Sequence, residues 1–324
     1  MIPRPAIEFT AKTTGELTAS EVLQLRELFV AVYQKPFPED LLRRKYAGSC
    51  LGHSFHSLML EGGRIVGAFS AIPVRYRFFG RPVLFAPTAD LMIAPAYRGP
   101  VRRLQQLGQG LFDLLREAGV AFVFACLREE MNIVHQAASR WRSVGKVFYY
   151  VAPFRLPYCA PAAALARAAL RLTPRGPEGG AGKWAIEKIN DEQFQHYRYS
   201  VFPVPYRSLA LGDGAGGVYT TELFYQLEGL PRGVRLGLLL DVWPLDRATF
   251  DRAVDEIRRR EPRLHFLAYQ GRLPFRPRDM FRVPPRLEKK AWFVAGRILR
   301  DDLVDDRVFD ISHWNINLSN GDLV

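Results

Sequence analysis

Apolar and polar positions follow two different periods along the first half of the chain. The stretches SEVLQLRELFVAVYQ and PEDLLRRKYA place apolar side chains at helical spacing and predict two helices. Residues 56–95 are instead rich in β-forming side chains. Turn signals at Glu61-Gly62-Gly63 and Gly80-Arg81-Pro82 divide them into three predicted antiparallel strands. A helix from about Pro100, the strand VAFVFACL, a helix within MNIVHQAASRWRS and the strand KVFYYVAPFRL complete this half.

The second half repeats the later elements more loosely. RLGLLLDVW, DRATFDRAVDEIRRR, RLHFLAYQG and AWFVAGRIL predict strand, helix, strand and strand. Between the halves, APAAALARAALRL predicts a helix, for which interdomain packing is favoured over contact with a membrane surface, and TPRGPEGGAGK predicts a linker. We therefore predict a domain at 1–156, a helix and linker at 157–183, and a second domain at 184–324.

Composition narrows the classes of partner. The 324 residues carry a net charge of +12, which favours anionic partners, although a scattered, solvated arginine surface would give the same sum. No stretch approaches the roughly 20 apolar residues of a membrane span. The segment MIPRPAIEFTAK lacks the apolar core of a signal peptide, so we expect a cytoplasmic protein. Cys50, Cys126 and Cys159 share no metal-like spacing, and we expect free thiols and no metal site.

The stretch PAYRGPVRRLQQLGQGLFDLL, residues 95–115, turns from a strand into a helix. Such a junction points backbone N–H groups and the positive end of the helix at one place, where anions bind. Pro100 removes one of these donors. Arg102 and Arg103 are candidates to compensate with charge-assisted hydrogen bonds to phosphate. The alternative is an ordinary turn with solvated arginines.

Residues 7–156 resemble the GNAT superfamily of N-acyltransferases. The resemblance lies in LMIAPAYRG and in the order of the elements around it. Three strands precede this motif, and a helix, the strand FVFACL and an Asn-containing helix follow it. In that family the turn reads Arg or Gln, two residues, Gly, one residue, then Gly or Ala, and it holds the pyrophosphate of coenzyme A. The pattern holds at Arg98 and Gly99 and fails at the later small positions, which fall on Val101 and Arg103. With the arginines above, the resemblance implies that acyl-coenzyme A is bound by Ile93, Arg98, Gly99, Arg102, Arg103 and Asn132.

The tail WFVAGRILRDDLVDDRVFDISHWNINLSNGDLV resembles the end of two-lobed GNAT-like proteins associated with bacterial polysaccharide and amino-sugar biosynthesis. The resemblance implies an α+β fold of two GNAT-like lobes, each a mixed central sheet flanked by helices, with the second lobe degenerate. In HWNINLSN, alternation predicts a strand whose polar face carries His313, Asn315 and Asn317. This face is a candidate for binding sugar or nucleotide hydroxyls, and a strand that pins the C-terminus is the alternative.

Asp90 lies in the apolar strand TADLMIAP, where an unpaired carboxylate is costly to bury. Many GNAT members place a carboxylate on this strand, so Asp90 is the candidate general base, with an ion pair to an arginine as the alternative. The usual acid of the family, a tyrosine, would fall near Ser139, which leaves Tyr149 and Tyr150 as candidates for the acid. We expect His135 on the surface of its helix.

These observations predict transfer of an acyl group from acyl-coenzyme A to an amine, with a sugar or sugar nucleotide as the expected acceptor. The first lobe would bind the donor and the second the acceptor. One alternative is a Fem-type peptidyltransferase that uses aminoacyl-tRNA, which would also suit the basic surface. The other is a catalytically inactive GNAT-like scaffold in polysaccharide assembly. No DNA partner is expected, and tRNA enters only in the first alternative.

Overall fold

The structure is a computed structural model that describes residues 6–99, 101–155, 184–200, 205–222, 233–284, 288 and 291–321. The predicted helix and linker at 157–183 lie outside the described residues. The strands are β1 (Ile7–Thr13), β2 (Phe55–Glu61), β3 (Arg64–Ala71), β4 (Val74–Phe78), β5 (Arg81–Ile93), β6 (Val120–Arg128), β7 (Arg142–Pro153), β8 (Ile186–Lys188), β9 (Arg207–Gly212), β10 (Ala215–Thr220), β11 (Leu236–Trp243), β12 (Phe266–Gly271), β13 (Phe281–Arg282) and β14 (Trp292–Ile298). The helices are α1 (Ala19–Tyr33), α2 (Glu39–Ala47), α3 (Val101–Glu117), α4 (Glu129–Ser139), α5 (Glu192–Ser200) and α6 (Arg247–Arg260).

The chain forms two compact units that alternate along the sequence. The first unit comprises residues 1–145, 185–203 and 292–313, and the second comprises 146–184, 204–291 and 314–324. These units differ from the predicted continuous domains, because the segment that contains β8 and α5 and the strand β14 belong to the first unit, whereas most of β7 belongs to the second. Strand β14 pairs with β6 of the first unit, whereas β7 pairs with β12 of the second. Pairing, and not chain order, therefore decides where each unit ends.

The first unit contains a mixed sheet in the order β1, β2, β3, β5, β6, β14, with β4 between β5 and β8. Neighbouring strands are antiparallel except β5 and β6, which are parallel. Helix α3 packs on this sheet because its buried side chains recur at helical spacing: Leu104, Leu107, Leu111, Phe112 and Leu115. The strand, turn and helix predicted around residues 87–116 are confirmed.

The second unit contains strands in the order β7, β12, β11, β10, β9, and β13 pairs with β7. Only β11 and β12 are parallel. Helix α6 begins at an Asp246 cap, buries Phe250, Val254 and Ile257, and ends at three arginines that suit its negative end. The α+β class with a mixed sheet flanked by helices in each lobe is confirmed.

Two predicted elements differ from the structure. The three-strand meander has four strands, β2 to β5, because the chain leaves β3 at Ala71 and passes Ile72 and Pro73 before β4 begins. The strand predicted from His313 to Ser319 is replaced by short 3-10 turns at Ile311–His313 and Leu318–Asn320. Within the described ranges, no helix is long and apolar enough to span a membrane, and no cluster of metal-ligating side chains occurs.

Candidate functional site

The parallel strands β5 and β6 pair only over their first halves. Their register runs from Leu84↔Val120 to Pro87↔Phe124. Strand β5 nevertheless continues to Ile93, and β6 continues to Arg128 along its other partner β14. The two strands therefore separate and leave a slot between their carboxyl halves, which is the edge of a parallel sheet where ligands bind. We call this the first slot.

Strand β5 carries a β-bulge beside the first slot. Ser70 pairs with Ala89 and Ala68 pairs with Met92, so Asp90 and Leu91 together face one residue of β3. Asp90 has φ +47°, a left-handed conformation that aspartate tolerates better than most side chains. A bulge of this kind redirects a side chain next to an active site.

The Asp90 carboxylate is held by two consecutive residues of α2. The Lys45 ammonium forms an ion pair with Asp90 Oδ2 at 2.8 Å, and the Tyr46 hydroxyl donates a short hydrogen bond to the same oxygen. The Lys45 side chain is fully buried and that of Asp90 is 5% exposed. Asp90 Oδ1 accepts no hydrogen bond from any residue that the structure describes. One carboxylate oxygen is thus fixed and the other is left for a further partner.

A second set of buried polar groups lies near this ion pair. The His56 ring makes hydrogen bonds with Thr14 Oγ1 (3.0 Å) and Ser70 Oγ (2.9 Å) and meets the Tyr46 ring edge to face. Burial lowers the pKa of His56 to about 3, so the ring is neutral at physiological pH. The Tyr197 hydroxyl from α5 donates to the Lys45 carbonyl at 2.8 Å. These contacts fix α2 against the sheet.

The turn after β5 is the segment for which a phosphate cradle was predicted. Gly99 has φ +128°, which favours glycine. Two arginines donate hydrogen bonds to nearby backbone carbonyls. Arg98 Nε donates to the Ile93 carbonyl at 2.9 Å, and Arg103 Nη1 donates to the Tyr97 carbonyl at 2.9 Å. Arg102 is exposed and makes no hydrogen bond or ion pair with the described residues. The donor-binding roles of these residues stay predictions, with Arg102 the most available cation.

Helix α4 directs polar side chains inward. Asn132, His135 and Ser139 lie on its buried face, and Asn132 Oδ1, His135 Nδ1 and Ser139 Oγ have no hydrogen-bond partner in the described part of the chain. His135 is 2% exposed and stacks on Trp141 with ring centroids 4.5 Å apart. The prediction that His135 lies on the helix surface is therefore wrong. Burial lowers its pKa to about 4. The donor-binding role of Asn132 stays a prediction.

The two candidate acids belong to the second unit. Tyr149 and Tyr150 lie on β7 opposite Gln270 and Tyr269 of β12. Tyr150 is buried, and burial raises its pKa above the usual value for a phenol. Asp90 lies in the first unit, so the structure does not bring these tyrosines together with Asp90 in one unit. Their catalytic role stays a prediction.

The three candidate acceptor residues do not share one strand face. His313 belongs to the first unit, where its ring packs edge to face on Phe79 and Nδ1 lies 3.0 Å from the Arg307 carbonyl. Asn315 and Asn317 are buried in the second unit. The prediction that these three residues share the polar face of one strand is wrong, because this part of the chain folds into turns.

Lys45 and Tyr46 are the residues that the sequence analysis missed. Leu41, Leu42 and Lys45 share the buried face of α2, so a lysine occupies an apolar position in PEDLLRRKYA. A lysine on the apolar face of a predicted helix was the only feature of the sequence that could have indicated a buried ion pair. Its partner lies 45 residues further along the chain.

A mixed sheet flanked by helices, with a strand that turns into a helix, fits the fold of the N-acyltransferases that the sequence resembled. Residues 14–126 match the family model of the acetyltransferase (GNAT) domain. This part of the chain is therefore similar to the GNAT acetyltransferase domain, and the match supports an N-acyltransferase. No curated protein matches the chain.

Solved structures share the fold at low sequence identity. A probable N-acyltransferase from Enterococcus faecalis is 12% identical, with a TM-score of 0.58 over 90% of this chain and 73% of that one. A GCN5-related N-acetyltransferase from Anabaena variabilis is 12% identical, with a TM-score of 0.59 over 91% and 73%. Eis1 from Mycobacterium abscessus is 12% identical, with a TM-score of 0.52 over 91% and 74%. At this identity the likeness shows the fold alone.

Proposed function

We propose that the protein transfers an acyl group from acyl-coenzyme A to a primary amine, with the donor in the first slot and Asp90 as the general base. The observation that carries the proposal is the bulged Asp90 carboxylate. Its Oδ2 is fixed by Lys45 and Tyr46, while Oδ1 accepts no hydrogen bond from the described residues. A fixed carboxylate with one available oxygen beside a ligand slot suits proton transfer.

The donor would extend from the first slot to the turn that begins α3. There the positive end of the helix, Gly99 and the exposed Arg102 suit a pyrophosphate. Ile93 on β5 and the unpartnered amide oxygen of Asn132 would contact the rest of the donor. Arg98 and Arg103 would have to exchange a loop carbonyl for phosphate.

In the reaction, the acceptor ammonium gives a proton to Asp90 Oδ1, and the neutral amine attacks the thioester carbonyl. The C–N bond forms and the C–S bond breaks. The second proton of the amine leaves to water, and the departing thiolate takes a proton. Tyr149 or Tyr150 remains the proposed donor of that proton. No covalent bond to the enzyme is needed, and burial raises the pKa of Cys126 to about 12, which makes its thiol a poor nucleophile.

We propose an amino sugar or an amine-bearing sugar nucleotide as the acceptor. The resemblance of the tail to proteins of polysaccharide and amino-sugar biosynthesis supports this class, and the net charge of +12 suits an anionic nucleotide sugar. The acceptor site would then need residues other than Asn317, whose side chain is engaged within the protein.

The test is a release assay for free coenzyme A with acetyl-coenzyme A and a panel of amino sugars, their nucleotide-linked forms and simple amines. The informative variant combines Asp90→Asn with Lys45→Met, because no unpaired charge is then buried, and Lys45→Met alone is the matched control that keeps the carboxylate. We expect the double variant to turn over roughly 10² to 10⁴ times more slowly than the control, the usual contribution of a positioned base. Equal rates in the two variants, with the control still active, would exclude Asp90 as the base, and no turnover by the wild type with any amine would contradict the proposed function.

A further inference from the structure

The second unit repeats the strand separation that forms the first slot. Its parallel strands β11 and β12 stop pairing after Leu239↔Tyr269. Strand β11 nevertheless continues to Trp243 and β12 to Gly271. The carboxyl ends of the two strands therefore separate as those of β5 and β6 do. We call this place the second slot.

The bulge is repeated as well. Against its antiparallel neighbour β10, strand β11 carries one extra residue, Leu240, between the pairs Tyr219↔Leu239 and Val218↔Asp241. Strand β11 is thus the counterpart of β5. A buried aspartate, Asp241, directly follows the extra residue, whereas in the first unit Asp90 is itself one of the two bulge residues.

Residues 314–321, the C-terminal turn, lie against the ends of both separating strands. On β11, Asp241 Oδ1 accepts a hydrogen bond from Asn317 Nδ2 at 2.8 Å. Just past β12, the backbone N–H of Arg272 donates to the Ile316 carbonyl at 2.9 Å. The chain therefore supplies its own hydrogen-bonding groups to both sides of the second slot.

The fit at β12 depends on a glycine. Gly271 forms an isolated antiparallel bridge with Asn317. A Cβ added to Gly271 would lie 2.7 Å from the Ile316 carbonyl oxygen and 2.7 Å from the hydroxyl of Tyr269. No side chain fits between β12 and the C-terminal turn, which shows that the two backbones are closely apposed.

The C-terminal turn is held in shape by its own side chains. Asn317 Oδ1 accepts hydrogen bonds from the Ser319 N–H (3.0 Å) and hydroxyl (2.5 Å), and Asn320 Oδ1 accepts one from the Asn317 N–H (2.9 Å). All three side chains are buried. A turn ordered before it docks loses less entropy on filling a site than a flexible segment would.

The helix that follows β11 is also unsuited to a phosphate. The Asp246 carboxylate caps α6 and accepts hydrogen bonds from the N–H (2.8 Å) and hydroxyl (3.1 Å) of Thr249. A negative charge therefore occupies the helix start, where the first unit offers Gly99 and Arg102. It satisfies a backbone donor and repels an anion.

We propose that the end of the second slot is a site for a primary amide, that the chain fills it with its own Asn317, and that each chain consequently binds one acyl-coenzyme A, in the first unit. The binding of one acyl-coenzyme A per chain rests on the proposed function. The occupancy of the second slot by Asn317 is independent of that function, since it follows from contacts within the second unit.

Hydrogen exchange of the full chain tests the occupancy. Asn317→Ala removes the bond to Asp241, and Asn315→Ala is the matched control, because Asn315 Oδ1 has no partner in the described part of the chain. We expect the amides of 314–321 to be protected in the wild type and in the control, and to exchange about tenfold faster or more in Asn317→Ala, the effect of losing one hydrogen bond to a charged group. Strands β11 and β12 should stay protected. Free exchange of this segment in the wild type, or equal exchange in the two variants, would overturn the proposal.

Calorimetry with acetyl-coenzyme A tests the stoichiometry. We expect one molecule per chain in the wild type and in Asn317→Ala, in which Asp246 still opposes a phosphate. Two molecules per wild-type chain would overturn the proposal. If none binds, the proposed function and the single-donor part fail together, while hydrogen exchange still decides the occupancy of the second slot.

Discussion

The buried ion pair between Lys45 and Asp90 leads to a prediction about stability. The two charges are 2.8 Å apart, and their side chains are 0% and 5% exposed. Removing one partner leaves the other charge buried without compensation, which typically costs about 3–5 kcal/mol. Lys45→Met keeps most of the side-chain length, and Asp90→Asn keeps the shape and tolerates the φ of +47°. Neither substitution adds backbone strain.

We expect each single variant to lose about 3–5 kcal/mol of unfolding free energy, with Lys45→Met at the lower end because Tyr46 still donates to the carboxylate. The double variant should lose less than the sum of the two by at least about 2 kcal/mol, since no unpaired charge remains. Urea unfolding followed by circular dichroism measures all four proteins. The matched control pair is Arg300→Met with Asp302→Asn, whose native side chains are 37% and 54% exposed, and we expect no measurable coupling there.

Additive losses at Lys45 and Asp90 would refute this reasoning. They would mean that the two charges do not compensate each other in the folded protein. The carboxylate would then be held mainly by Tyr46, and the choice of the double variant as the test of the base would have to be abandoned.

Two further predictions concern the neutral histidines and the donor turn. Because burial lowers the pKa of His56 to about 3 and that of His135 to about 4, the unfolded chain binds more protons than the folded one between these values and the ordinary value of about 6.5. The unfolding free energy should therefore fall on acidification below about pH 6.5, by up to about 1.4 kcal/mol per pH unit for each histidine. If the unfolding free energy of His135→Gln depended on pH as that of the wild type does, this prediction would be contradicted. In calorimetry, Arg102→Ala should weaken acetyl-coenzyme A binding by about tenfold, and Arg103→Ala by less because that guanidinium already binds the Tyr97 carbonyl; equal losses would count against the distinction.

Local pattern was sufficient where an element is decided by its own residues. The β-forming side chains before Ile93 and the helical spacing from Leu104 to Leu115 predicted the strand, turn and helix of the candidate site. The burial of Asp90 was also predictable, because a single carboxylate stood in an apolar strand. Its partners were not, since Lys45 and Tyr46 reach it only through the packing of α2 on the sheet.

The pattern failed where side chains compete with the backbone. Alternation from His313 to Ser319 predicts a strand, yet Asp310 and Asn317 accept hydrogen bonds from backbone N–H groups two residues further on, Ser312 at 2.7 Å and Ser319 at 3.0 Å. These local bonds stabilise turns. A pattern of apolar and polar residues does not show such local hydrogen bonds. It also does not show which strands will pair, so the division of the chain into these two units was not predicted.

The pairing of β14 with β6 has a consequence for biosynthesis. Strand β6 is completed on one side by β14, whose residues 292–298 are made last among the strands of the first unit. Until then, a nascent chain that already contains α1 to α4 exposes the unpaired edge of a strongly apolar strand, VAFVFACLR. Such an edge invites pairing with other chains. Folding of the first unit must therefore wait until residues 292–298 have been made, and a gene fragment that ends at residue 156 would encode an aggregation-prone product instead of an independent domain.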